Sequence, residues 1–343
     1  LKKKNKIYFA EYNNLYSSDS KVKNVNCEII NLFLKDLIDY YLTDSKEIRK
    51  CFSKIKKILN LINKKIINNQ KCNFIVSFSS YDYSNYINTS KKQFYIKNIE
   101  NYFYEELYKL SNKHNNLFIL NLDDVFSKKG FDICFDKRNY FLLRCHLSLE
   151  GLKIYINSLE NLIYRIFNYR KKVLLLDCDN TLWGGIIGEE KQKNIKLGQD
   201  GLGQAFQEFQ KAAKKIKNSG IILGIVSKNN EEDVLNFFEK NKFMILKKKD
   251  ITVFKVNWLD KSDNIKKISK ELLIGLDSFV FWDDNPIERN KVKTKLKDVT
   301  VIEPDNDVSY WAKQLLEYNG FSNFFLTKED KTKTNSYRIR SEF

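Results

Sequence analysis

A chain of 343 residues, 43% of them hydrophobic, is long enough for two ordinary domains, each with its own core. No apolar run approaches the length of a membrane span and no signal-peptide pattern opens the chain, so the sequence reads as soluble and cytoplasmic, with no membrane partner. The net charge of +17 is almost all lysine, with only eight arginines, scattered evenly among Asn, Ile and Tyr; that disfavours nucleic acid and suits small phosphates or an acidic carrier protein.

In chain order, Ile7–Phe9, Phe74–Phe78 and Leu117–Leu122 read as strands, and Glu28–Tyr41, Glu47–Ile62 and Ile96–Lys109 as helices. A long helix over Ser148–Phe167 leads through a basic stretch, Asn168–Lys172, into the apolar run Val173–Leu176. Beyond it, Ile221–Val226, Ile251–Val256, Phe279–Trp282 and Val299–Ile302 read as strands. Helices are expected between them, opening near Asn230, near Ser262 and at Asn285-Pro286, where Asn caps and Pro fits the first turn. After Pro304 the chain turns helical and then polar from Lys328 onward. The alternation predicts an α/β protein with parallel sheets and two domains: an N-terminal α/β domain over 1–170, a catalytic domain over 171–310, and a helical, polar tail over 311–343. The start at Leu1 and the polar end read as those of a fragment or of a chain without its initiator.

Four strand ends carry chemistry, as open parallel sheets place ligands there. The first is Asp177-Cys178-Asp179-Asn180-Thr181, where alternation turns Asp177 and Asp179 to one side. Two such carboxylates repel unless a hard cation such as Mg2+ sits between them; one can then serve as nucleophile and the other as general acid/base. Taken alone, the same residues could be an exposed turn. Ser227-Lys228-Asn229 opens a helix whose free amides could cradle phosphate. Lys261 stands where a helix dipole disfavours a cation, so a phosphate or carboxylates must hold it; Lys255 competes but lies inside a strand. Asp283-Asp284, before Asn285-Pro286, is a second acidic pair. The six cysteines form no CxxC and the chain has two histidines, so a zinc site is disfavoured.

In this order, Asp177, Asp179 and Thr181, then Ser227, Lys261 and Asp283-Asp284 resemble the four-motif signature of the haloacid dehalogenase (HAD) superfamily. The resemblance implies a Rossmann-like sheet and phosphoryl transfer. In it Asp177 is the nucleophile, Asp179 the acid/base, and Lys261 and Ser227 hold the phosphate, with Lys228, Asn229 and Thr181 beside them. Mg2+ is held by Asp177, Asp179 through its carbonyl, and Asp283 or Asp284. The stretches Asp179–Glu189, Ser227–Asn229, Asn257-Trp258 with Lys261-Ser262, and Asp283–Arg289 are similar to the FkbH-like branch, as are Phe135–Arg138, Leu147-Ser148 and Thr327–Asp330. That branch implies 1,3-bisphosphoglycerate as donor, loss of phosphate, and transfer of a glyceryl group to an acyl carrier protein bearing a 4'-phosphopantetheine arm, for polyketide-type biosynthesis.

Two further readings follow. The 48 positions from Asp179 to Ser227 and the 34 from Ser227 to Lys261 leave no room for a cap domain. The N-terminal half resembles a degenerate SGNH-hydrolase-like (flavodoxin-like) domain through His146-Leu147-Ser148, but Leu143 stands where the partnering aspartate would fall, so His146 is read as structural. Cys178 is the remaining question. A thiol could carry the glyceryl group as a thioester, yet strand alternation points it into the core. A phosphatase acting on a small phosphorylated metabolite needs no such thiol. A nucleic-acid end phosphatase or a non-enzymatic docking protein fits the residues less well.

Overall fold

The computed structural model describes residues 8, 25–37, 45–81, 91–167, 171–188 and 195–321. The chain divides into two compact units, Leu1–Ile163 and Tyr164–Phe343, so the division falls inside a helix rather than at the basic stretch after it. The expected strand at Ile7–Phe9 and the polar tail, including Thr327–Asp330, lie outside the described residues, apart from Tyr8.

In the N-terminal unit, β1 (Cys27–Phe33), β2 (Asn73–Ser79) and β3 (Leu117–Asn121) form a parallel sheet in the order β1-β2-β3. The helices α1 (Leu34–Leu37), α2 (Ser45–Asn68) and α3 (Lys91–Lys113) come before β3, and α4 (Leu122–Phe126), α5 (Phe131–Cys134), α6 (Lys137–Leu143) and α7 (Leu149–Phe167) follow it. Ile55, Ile62, Phe74, Phe78 and Phe103 are the centre of its core. Glu28–Phe33 is strand, not the helix expected over Glu28–Tyr41. The stretch Ile29-Ile30-Asn31-Leu32 buries alternate residues, Ile30 and Leu32, which is a period of two, and pairing with β2 satisfies the backbone.

In the C-terminal unit, β4 (Val173–Leu176) is followed by α8 (Gly201–Asn218), β5 (Ile222–Ser227), α9 (Glu231–Lys240), β6 (Val253–Val256), α10 (Lys261–Leu272), β7 (Phe279–Trp282), α11 (Pro286–Lys295), β8 (Thr300–Ile302) and α12 (Trp311–Glu317). The five strands are all parallel, in the order β6-β5-β4-β7-β8. The central strand β4 is completely buried because helices cover both faces, which is why its sequence is an unbroken apolar run. Its side chains divide between two cores: Val173 and Leu175 enter one, and Leu174 and Leu176 the other. Gly224 on β5 permits the close fit of this sheet, since a Cβ there would lie 2.7 Å from Leu175 Cδ2.

Asp250, buried before β6, ties the sheet to α8: Lys217 Nζ donates to Oδ1 at 3.0 Å and the Lys247 backbone N–H to Oδ2 at 3.0 Å. Burial alone would raise this carboxyl, but the Lys247 amide, Lys217 and Lys214 outweigh it and hold it below the usual carboxylate range. A carboxyl lowered on folding stabilises above its unfolded pKa and loses that effect as pH falls through its folded value. Asp250→Ala is therefore expected to lower the unfolding free energy by roughly 1–2 kcal/mol at pH 7, with the gap to wild type narrowing in acid, as read by urea denaturation at several pH values.

Candidate active site

The site lies at the carboxyl end of the five-stranded sheet, where β4, β5, β6 and β7 deliver their next residues side by side. Immediately after β4, Asp177 is buried, and its backbone N–H donates to the Trp282 carbonyl at 3.1 Å, which fastens it to β7. Asn180 then adopts the left-handed conformation (φ +53°), which Asn tolerates better than most residues, and its side chain accepts from the Gly185 N–H at 2.8 Å.

Lys261 is the centre of the cluster. Its side chain is 4% exposed, and its ammonium lies 2.9 Å from Asp177 Oδ1 and 2.6 Å from Asp283 Oδ2. Asp260, the N-cap of α10, accepts from the Ser262 N–H at 2.9 Å and so sets the helix start that aims Lys261 inward. Burial alone would lower the lysine, but the charges of Asp177 and Asp283 prevail and hold it above its ordinary range. Burial first, and then the charge of Asp177, push both Asp283 and Asp284 up.

Carboxylate oxygens of Asp177, Asp283 and Asp284 lie within 4.8 Å of one another. Lys261 offsets one of these three charges, and Asp177 Oδ1, although in ion-pair contact with it, has no hydrogen-bond partner. A buried, under-compensated set of oxygen ligands suits a hard divalent cation. Asp283 is braced by the Asn285 N–H at 2.8 Å, and Asp284 Oδ1 accepts from Thr181 Oγ at 3.2 Å. Arg289 donates to the backbone carbonyls of both, at 2.9 and 2.6 Å.

Asp179 stands apart from that trio. Its Oδ1 accepts from Trp183 Nε1 (2.9 Å) and the Ile187 N–H (3.1 Å), and its Oδ2 from Asn229 Nδ2 (2.8 Å). Its carboxylate is engaged by these donors and is not one of the three whose oxygens converge. Burial raises its pKa against the pull of these donors, a fitting state for a group that gives and takes protons. Asn229 also donates to Ser227 Oγ at 3.1 Å, so the end of β5 reaches Asp179 directly. Lys228 is turned to Glu288, 2.9 Å away.

Cys178 follows the strand alternation into the core with Leu174, Leu176, Leu182 and Trp183, and is fully buried. Burial, then Asp177 and Asp179, push its thiol well above the ordinary value. Cys178 therefore sits in the packed core, the placement that strand alternation predicts. Lys255, the competing lysine, pairs with Glu271 at 2.6 Å instead. Trp183, Glu288 and Arg289 have roles that the sequence did not disclose. In the N-terminal unit His146, 2% exposed, is stacked between Phe33 and Tyr140 with Asp36 3.0 Å from its Nε2.

No family model matches the sequence, and no curated protein does. Among solved structures, the chain is similar to the N-terminal part of the protein BF1531 from Bacteroides fragilis, described as containing a phosphatase domain complexed with Mg. The two share 34% identity, with 85% of this chain and 78% of that one covered and a TM-score of 0.71. At that identity and coverage, together with the parallel sheet and the motif residues gathered at its carboxyl end, the chain belongs to the HAD-like phosphatase family.

If Lys261 is what balances the carboxylates, Lys261→Met should lower stability by about 3 kcal/mol in chelator-treated protein. The rise in Tm caused by a saturating divalent cation should then be larger in the variant than in wild type, because the cation alone is left to compensate the charge. Equal rises in both proteins would remove Lys261 from that balance.

Proposed function

We propose that the chain is a Mg2+-dependent phosphatase acting on a phosphorylated small molecule. The observation that carries this is the convergence of Asp177, Asp283 and Asp284 within 4.8 Å beside a buried lysine, with Asp179 held separately. Asp177, Asp283 and Asp284 would hold the ion, which when bound offsets their charge and that of the phosphoryl oxygens.

The residues then divide the work. An Asp177 carboxylate oxygen attacks phosphorus, the bond to the leaving oxygen breaks, and Asp179 gives that oxygen its proton. Asp179 next takes a proton from water; the water oxygen attacks phosphorus, and phosphate leaves with Asp177 restored. Ser227, Asn229 and Lys228 receive the phosphoryl oxygens, and Lys261 keeps Asp177 aimed. Thr181 holds Asp284 in place.

A second reading is glyceryl transfer of the FkbH type, from 1,3-bisphosphoglycerate to an acyl carrier protein. Cys178 favours it only by position, as the residue between Asp177 and Asp179 in the chain. Its complete burial favours the phosphatase. Neither interval between motifs holds an extra domain among the described residues. No described helix is long and apolar enough to cross a membrane.

Phosphate release from a panel of phosphate esters should require Mg2+. It should fall by on the order of 10⁴-fold in Asp177→Asn and 10²–10⁴-fold in Asp179→Asn. Cys178→Ser should leave it nearly unchanged. Intact mass after incubation with Mg2+ and fresh 1,3-bisphosphoglycerate separates the two readings. Phosphate release with unmodified protein supports the phosphatase, whereas a glyceryl adduct that Cys178→Ser abolishes would replace it with the transferase.

A further inference from the structure

Glu288 has no place in the chemistry above, yet it is among the least expected side chains of the site. It lies in the first turn of α11 with its side chain 10% exposed. Its Oε1 accepts from Lys228 Nζ and from Lys291 Nζ, each at 2.9 Å, while its Oε2 is buried without a hydrogen-bond partner. A carboxylate is costly to bury unless its partners are good, so the half-satisfied Glu288 calls for a reason.

The strand order supplies one. Lys228 directly follows β5, and α11 follows β7; these are the two neighbours of β4. The Lys228–Glu288 pair therefore joins the two elements that flank the nucleophile's strand, at the edge where Asp177 emerges. The first turn of α11 also favours an acidic side chain, so Glu288 stays ionised where Lys228 needs it. An ammonium has three donors; with one spent on Glu288, two remain for phosphoryl oxygens.

Resting on the reading of this site as a phosphate-handling centre, we infer that Glu288 is a positioning residue that acts through Lys228, strapping the β5 end to α11 and holding the ammonium at the phosphate cradle. Without the strap, the flexible lysine arm must be ordered by each incoming phosphate. Binding weakens while the chemical step, which belongs to Asp177 and Asp179, is little altered.

The test is a double-mutant cycle on the full chain in Mg2+ buffer. The dissociation constant of inorganic phosphate is measured by calorimetry, and KM and kcat are measured for a phosphate ester. Glu288→Gln should weaken phosphate binding and raise KM about tenfold with kcat nearly constant, and should have no effect in a Lys228→Ala background. Lys291→Ala should leave the constants near wild type. Equal effects of Glu288→Gln in both backgrounds, or no effect in either, would overturn the inference. Should Glu288→Gln fail to fold, Glu288→Asp, which keeps the charge but shortens the reach, is read in the same cycle. Wild type that binds phosphate without turning over an ester counts against the phosphatase reading and leaves the strap to be judged by binding. Wild type that binds no phosphate overturns both.

Discussion

The structure depends on one electrostatic constraint: three carboxylates, Asp177, Asp283 and Asp284, converge at the end of a buried strand with a single buried lysine among them. Left to themselves, like charges at that separation in a poorly solvated site raise one another's pKa, as burial and Asp177 do to Asp283 and Asp284. The neighbouring features answer this repulsion. Lys261 spans Asp177 and Asp283, the Asn285 amide braces Asp283 and Thr181 braces Asp284, and Arg289 fixes the backbone beneath the acidic pair. The remaining negative charge is what makes the site a receptor for a hard cation.

The same strand decides which neighbours take part. Alternation along β4 sends Leu174, Leu176 and Cys178 into one core. Asp177, on the opposite side, meets Lys261, which follows β6, and Asp283, which follows β7, while Asp179, beyond the strand, is held by Trp183, Ile187 and Asn229. Asp179 is separate from the acidic trio, and in the proposed mechanism this separation divides the labour. The trio is the negative charge that Lys261 and a cation offset, and Asp179, held by Trp183, the Ile187 amide and Asn229, is the group proposed to exchange a proton.

Much of this was legible in the amino-acid order. Val173–Leu176 reads as a strand buried on both faces, and Asp177, Ser227, Lys261 and Asp283 each stand where an apolar run breaks off, which is where parallel sheets collect ligands. The cap at Asn285 was equally plain, since Asn-Pro before a helix has a local cause. The failures came where the decisive contact was distant. Glu28–Phe33 contains residues that a helix would also accommodate, and pairing with β2, far along the chain, selects strand. The ties from Trp183 to Asp179 and from Lys228 to Glu288 depend on which strands become neighbours, and the order β6-β5-β4-β7-β8 is not readable from spacing. Cys178 is the instructive middle case: alternation pointed it inward, and the packed side of β4 keeps it there.

The central claim is that Asp177, compensated by Lys261 and a divalent cation, accepts a phosphoryl group. Beryllofluoride, which binds carboxylates as a phosphoryl mimic, tests this without knowledge of the substrate. ¹⁹F NMR should show bound resonances in wild-type protein only when Mg2+ is present, and none in Asp177→Asn. Bound signal that is indifferent to Mg2+, or that survives in Asp177→Asn, would contradict the account.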